Sequence, residues 1–134
     1  MPEAAISKHF ISCAAVFIVA DIHRAVAFYR DQLGFEISDI WGDPPSFAIA
    51  DSARASIMLK QGIDQNEPYK PMPNTRQISG LWDAYVWVQD LEAVISFFAG
   101  ANTAHSKPEK MPHGCTEIVV TDPDGYRICF GFCP

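Results

Sequence analysis

Two periodicities alternate along this chain, and the same alternation occurs twice. Residues 13–20, CAAVFIVA, are small, β-branched and aromatic, and read as a buried strand. Asp21 follows as a helix N-cap; Ile22, Ala25, Val26, Tyr29 and Leu33 recur at helical spacing, and Gly34 closes the run. FEISDIW (35–41), a GDPP turn, SFAIAD (46–51) and ASIMLKQ (55–61) predict three more strands. Residues 62–80 are polar and turn-rich, with Pro68, Pro71 and Pro73, and carry no period. The pattern then restarts. LWDAYVWV (81–88) reads as a strand, Asp90 caps a helix with Leu91, Val94, Ile95 and Phe98 on its apolar face, and strands follow near 104–110, 115–121 and 126–132. DPDG (122–125) turns the chain between the last two.

The two halves superpose. Asp21, Ile22, Ala25, Val26 and Tyr29 each have a counterpart at one constant offset, in Asp90, Leu91, Val94, Ile95 and Phe98. AIADSARASIMLKQ (48–61) lies over VVTDPDGYRICFGF (119–132), with Asp51 over Asp122, Ile57 over Ile128, Met58 over Cys129 and Leu59 over Phe130. Unrelated strand–helix units share hydrophobic spacing, but agreement at the cap, the helix and the last hairpin together points to duplication. The expected fold class is α+β: two tandem βαβββ modules, 11–61 and 81–134, joined by a linker at 62–80 in a single domain, 1–134. Each module is a curved, mostly antiparallel sheet with a helix on its outer face, and the pair forms a cup.

Strand alternation assigns the faces. Ile57, Leu59, Ile128 and Phe130 are the consistently apolar set and belong beneath the helices, with Ala15, Phe17, Val19, Ala84, Val86, Val88, Ile118 and Val120. Met58 and Cys129 then point the other way, as do Ser56, Arg127, Asp83, Tyr85, Trp87, Glu117, Val119 and Thr121. A hollow lined by this second face holds aromatic, carboxylate and sulfur groups in a mixture typical of a ligand pocket. The competing reading is that a dimer partner covers the face and the aromatics are interface packing.

Composition narrows the partners. At 134 residues, with 49% hydrophobic and 19% charged positions, the chain is an ordinary globular domain able to bury about two thirds of its unfolded surface. A net charge of −6 argues against nucleic acid or an anionic membrane and mildly favours a cationic ligand. Phe10 to Ala20 is too short to span a bilayer and lacks a convincing leader cleavage site. Cys13, Cys115, Cys129 and Cys133 form no metal-knuckle spacing and read as free thiols, so a cytoplasmic location is expected. Asp83 and Glu117 could serve as an acid/base pair, although Arg127 and Lys60 on the same face are expected to neutralise at least one of them. Trp41 and Trp82 fall at strand edges, where surface or interface roles compete with ligand contact.

VADIHRAVAFYRDQLGF (19–35) and HGCTEIVVTDPDGYRICF (113–130), set in paired βαβββ modules, resemble the vicinal oxygen chelate superfamily of glyoxalase I, extradiol dioxygenases, fosfomycin-resistance enzymes and bleomycin resistance proteins. The D-x-x-x-A-x-x-F-Y-x-x-x-L-G-F run with D-P-D-G-Y is specific for the fold and unspecific for activity. In metal-dependent members the resemblance implies four ligands, typically His or Gln and Glu, at positions that fall here on Ala14, Met58, Asp83 and Cys129. Alanine cannot ligate, and Met and Cys are soft donors beside a hard Asp, so no metal is expected. The chain is most similar to the metal-free bleomycin resistance branch, whose members are dimers that sequester a cationic glycopeptide. AYVWVQDL (84–91) resembles that branch closely. Where the branch carries W-G before T-R-E-F, this chain has His113-Gly114 and then Cys115-Thr116-Glu117-Ile118, which argues against bleomycin itself.

The function these readings imply is non-enzymatic binding or sequestration of a small aromatic or cationic molecule, of the antibiotic-resistance type, by a homodimer. Ligand contacts are expected from Met58, Asp83, Tyr85, Trp87, His113, Glu117 and Cys129, with no catalytic residue and no cofactor. The alternative is a divergent glyoxalase-type lyase, isomerase or dioxygenase with an atypical metal site.

Overall fold

Asp21 and Asp90 start the two helices. The Asp21 carboxylate accepts the backbone N–H groups of His23 (2.9 Å) and Arg24 (3.2 Å), and Asp90 accepts that of Ala93 (3.0 Å). These bonds satisfy donors that a first helical turn leaves without partners. The helices are α1 (Ile22–Ala27) and α2 (Leu91–Gly100). Beyond Ala27 the first widens into a π-helical turn, Phe28–Gln32, closed by the Leu33 N–H on the Phe28 carbonyl (3.1 Å). Gly34, at φ 85°, carries the chain out of it in a conformation that favours glycine.

The computed structural model describes residues 5–62, 70–74 and 81–134, so most of the linker expected at 62–80 lies outside the described residues. Strands β1 (Ala14–Val19), β2 (Glu36–Trp41), β3 (Phe47–Asp51) and β4 (Ser56–Gln61) form one sheet in the order β1-β4-β3-β2. Strands β5 (Ala84–Trp87), β6 (Glu109–Lys110), β7 (Thr116–Thr121) and β8 (Arg127–Phe132) form the second, in the order β5-β8-β7-β6. In each sheet the first strand runs parallel to the last and the other neighbours are antiparallel. The α+β, two-module architecture is therefore the one the sequence implies, with both sheets open. One strand is much shorter than expected. Of 104–110 only Glu109–Lys110 pairs regularly, because Pro108 has no N–H to donate and the Ser106 hydroxyl takes the Val119 N–H (2.8 Å).

Ile57, Leu59, Ile128 and Phe130 are buried in the core beside the helices, and Phe98 of α2 meets Phe130 edge-on, ring centres 5.3 Å apart. Burying one such side chain is worth about 1.5–3 kcal/mol. A one-residue slip of β4 or β8 would turn these residues outward together, so the register is strongly fixed.

The turn between β7 and β8 joins the modules. Tyr126 stacks on Phe17 of β1, with ring centres 4.2 Å apart and planes 1° from parallel, and donates to the Ile18 carbonyl (2.8 Å). The buried Tyr29 hydroxyl donates to one oxygen of Asp122 (2.7 Å), whose other oxygen accepts the N–H groups of Asp124 (2.9 Å) and Tyr126 (2.8 Å). Asp124 accepts from the Arg24 guanidinium (2.9 Å) and the Ala20 N–H (3.1 Å). Burial lifts the Asp122 carboxyl above its ordinary range, against the pull of Tyr29 and the two N–H groups toward the anion.

The cysteines do not all stay free. Cys115 and Cys133 form a disulfide, while Cys13 is exposed and Cys129 buried as free thiols. Thr116 pairs with Phe132, so the two bonded residues stand opposite each other just beyond the paired ends of β7 and β8. The expectation of four free thiols is corrected, and with it part of the ground for expecting a reducing compartment. Among the described residues no helix is long and apolar enough to cross a membrane.

Asp122→Ala strands the Tyr29 hydroxyl and two backbone donors, and should cost on the order of 2–3 kcal/mol in urea denaturation. Asp122→Asn keeps an acceptor without the charge. Because the fold favours the neutral carboxyl, the wild type should lose stability relative to Asp122→Asn as pH rises above the ordinary carboxyl range of about pH 4. A pH-independent difference between the two denaturation series would remove this account of the joint.

Candidate ligand-binding site

Strand pairing places the site residues. Tyr85 of β5 stands opposite Cys129 of β8, which stands opposite Val119 of β7. In the next row Trp87 faces Gly131, and Gly131 faces Glu117. Directly opposed residues share a sheet face, so Tyr85, Trp87, Glu117, Val119 and Cys129 lie together on the side away from α2. The expected orientation of Cys129 is the observed one. In the first sheet Met58 pairs with Val16 and Ile49, and it too faces away from the helix-side core that holds Ile57 and Leu59.

Three aromatic rings run along this face. Trp82 lies 5.5 Å from Tyr85 and Tyr85 lies 5.0 Å from Trp87, ring centre to ring centre, both pairs tilted. Trp87 is 74% exposed, a large apolar area for a sheet residue. Next to the rings is a buried carboxylate, Glu117, 4% exposed. The Tyr85 hydroxyl donates to its Oε2 at 2.7 Å, and the His113 ring nitrogen stands 3.8 Å from the same oxygen. Tyr85 reaches Glu117 by lying across Gly131, where even a Cβ would overlap the phenol. Burial raises the Tyr85 hydroxyl above its usual range, and the bond to Glu117 adds to the shift. Burial with Glu117 alongside also pushes the Cys129 thiol up to about 12, so it stays protonated at neutral pH and is a poor nucleophile and a poor metal ligand.

A cavity of about 510 Å3 opens over this face, lined by Trp82, Met111, Glu117, Val119, Thr121 and Arg127 among others. The expected site residues separate around it. Glu117 lines it; Tyr85, His113 and Cys129 are grouped around Glu117; Trp87 continues the aromatic row. Met58 is on the other sheet and does not line this cavity. Asp83 is committed to the backbone: its two oxygens accept the N–H groups of Asn74 (2.6 Å) and Arg127 (2.8 Å). The expected neutralisation of Asp83 or Glu117 by Arg127 or Lys60 does not occur, because backbone donors satisfy Asp83 and the Tyr85 hydroxyl and His113 flank Glu117.

Two contributors were not among the expected ligand contacts. Trp82 is a wall of the cavity, and its proximity to Tyr85 emerges only when β5 is placed against β8. Gly131 carried a signal, since glycine inside a strand marks a bulge or a close approach. The four positions where the resemblance implies metal ligands make a poor donor set. Ala14 has no donor, Asp83 has both oxygens engaged, the Cys129 thiol holds its proton and Met58 offers a soft thioether. Among the described residues no three His, Cys, Asp or Glu side chains gather in metal-binding geometry.

Tyr85→Phe leaves a buried carboxylate short of its donor, and should cost about 1–3 kcal/mol of stability in urea denaturation. Gly131→Ala should cost a similar amount by displacing the phenol. The double variant should fall well short of the sum, because both changes remove one interaction. Full additivity would show that Gly131 and Tyr85 act separately.

A family model described as the Glyoxalase/Bleomycin resistance protein/Dioxygenase superfamily matches residues 9–130. A comparison with curated protein sequences gives no match. Among solved structures, the fold is similar to a glyoxalase-related enzyme from Clostridium phytofermentans, at TM-score 0.72 and 15% identity, covering 93% of this chain and 96% of that one. It is also similar to a lactoylglutathione lyase from Agrobacterium tumefaciens, at TM-score 0.61 and 19% identity over 98% and 94% of the two chains. A third is the bleomycin-binding protein of bleomycin-producing Streptomyces verticillus, solved with copper(II)-bleomycin, at TM-score 0.63 and 23% identity over 92% and 95%.

Proposed function

This chain belongs to the Glyoxalase/Bleomycin resistance protein/Dioxygenase superfamily, and we propose that within it the chain binds a small aromatic, amine-bearing molecule without transforming it. The observation that carries this reading is the row of Trp82, Tyr85 and Trp87 beside the buried Glu117 carboxylate, in a fold whose usual ligand positions hold no hard donor set. Flat rings supply apolar area, and Glu117 favours a positive group. A pair with the buried Glu117 must repay the desolvation of both charges, so stacking carries most of the affinity. Asp83 then belongs to the framework, tying β5 to the start of β8. The similar fold of a bleomycin-binding protein supports sequestration of the antibiotic-resistance type.

The binding form in this proposal is a homodimer in which modules of the two chains face each other. Apolar residues left in solvent support it: Ile11 is 98% exposed, Phe10 72% and Val16 57%. The second reading, a lyase, isomerase or dioxygenase, draws support from the similar fold of the lactoylglutathione lyase and from Glu117 standing between Tyr85 and His113.

A screen of drug-sized aromatic amines, read by quenching of tryptophan fluorescence, tests the first reading. For a hit, Trp87→Ala should weaken binding by about tenfold or more. Asp83→Asn should leave affinity within about twofold while lowering the melting temperature. The reverse order in calorimetry would refute this division of labour. Elemental analysis of protein purified without chelator should find less than one metal per chain; stoichiometric Mn, Fe, Ni or Zn would favour the enzyme reading.

A further inference from the structure

The duplication builds two matching joints between the modules, and they are filled differently. At one, Tyr126 stacks on Phe17 and is 3% exposed. The repeat places Ala55 over Tyr126 and Val86 over Phe17, so at the other joint a methyl stands where the phenol should be. The surrounding lock is missing as well. Phe98 replaces Tyr29 and Ala53 replaces Asp124; Asp51, the counterpart of Asp122, accepts the N–H of its neighbour Ser52 (2.9 Å). The space stays open as a groove of about 670 Å3 between edge strands β1 and β5, lined by Ala15, Ala55, Val86, Tyr85 and Trp87 among others, with Arg54 as its charged member.

We propose that this groove is a second ligand site, for a flat aromatic molecule bearing one negative charge, such as an aryl carboxylate or sulfonate. Shape comes from the filled joint. There the repeat unit accommodates a six-membered ring lying flat on its neighbour, and the empty joint has the corresponding strands around it, with smaller side chains at the two stacking positions and Tyr85 and Trp87 as added aromatic wall. Charge comes from Arg54. Its side chain is exposed and lines the groove, and none of the ion pairs among the described residues uses it. Among the described residues no acidic side chain lines the groove, whereas the cavity over the second sheet has Glu109 and Glu117 beside one Arg127. The groove therefore favours an anion, and the cavity, with two carboxylates to one guanidinium, does not. The groove shares Tyr85 and Trp87 with the aromatic row of the amine-binding reading, but Trp82 and Glu117 line only the other cavity and Arg54 only the groove, so variants at Arg54 and Ala55 test it separately.

Anilinonaphthalene sulfonate, a flat fluorescent anion, is the probe, with neutral phenylnaphthylamine as its uncharged counterpart. Ala55→Tyr restores the ring that the other joint carries, and should weaken sulfonate binding by about tenfold or more. Arg54→Gln, a surface change, should weaken the sulfonate about three- to fivefold and leave the neutral probe unaffected. Thermal melts accompany both variants; should Ala55→Tyr not fold, the charge discrimination by Arg54→Gln decides. Wild-type sulfonate affinity in folded Ala55→Tyr overturns the proposal, as does equal loss of both probes in Arg54→Gln. Failure of the wild type to bind either probe, with Ala55→Tyr shifting the oligomeric state in sedimentation, also overturns it and assigns the groove to a second copy of the chain.

Discussion

Each sheet must bury every second residue of its last strand beneath a helix, and this constraint sets the composition of the opposite face. Ile57 and Leu59 lie in the core on one side, and Ile128 and Phe130 on the other, with Phe98 fixing the second helix against Phe130. Met58 and Cys129 are then carried to the open faces. The parallel pairing of first strand with last adds the partner: Val16 beside Met58, Tyr85 beside Cys129. What the chain can bind follows from these few alternations, because a side chain on the open face cannot be exchanged for its neighbour without unburying the core.

On the second module that face contains a nearly buried carboxylate at the wall of the cavity. A buried anion demands donors, and Glu117 obtains one from Tyr85 and lies within reach of His113. Meeting that demand shapes the rest of the site. Position 131 must be glycine for the phenol to cross it, and the neighbouring Cys129 is held protonated. A site so arranged keeps its negative charge on a side chain outside the four positions where relatives with metal would hold their ligands. Its polarity is spent on orienting a ring and an anion, the arrangement on which the proposed recognition of an amine rests.

Much of this was legible in the residues. Caps at Asp21 and Asp90, the repeated helix pattern and strict strand alternation gave the module order, and the orientation of Met58 and Cys129, without coordinates. The parts that were not legible depend on register or on backbone competition. Cys115 and Cys133 meet only because Thr116 pairs with Phe132, which no spacing reveals. Asp83 looked like a pocket carboxylate, yet the backbone N–H groups of Arg127 and Asn74 claim it. The strand expected at 104–110 collapsed to two residues because Ser106 and Pro108 break the ladder from within. Alternation predicts direction; it is blind to which donor lies at the end of it.

The asymmetry between the joints shows how a duplicated fold can divide its labour. Stability between modules requires one well-made contact, and the cluster of Tyr126, Phe17, Tyr29, Asp122 and Asp124 concentrates it at a single turn. With that joint locked, the other is released from the same duty, and residues such as Ala53, Ala55 and Val86 can shrink there without freeing one module from the other. The same divergence runs through the open faces, where Ala14 and Val16 stand at the positions that Asp83 and Tyr85 occupy in the second module. Small side chains in one repeat and large ones in the other convert a symmetric scaffold into one with distinct surfaces. A chain built in this way gains surfaces of different shape and charge from substitutions alone, with the strand order of both modules left intact.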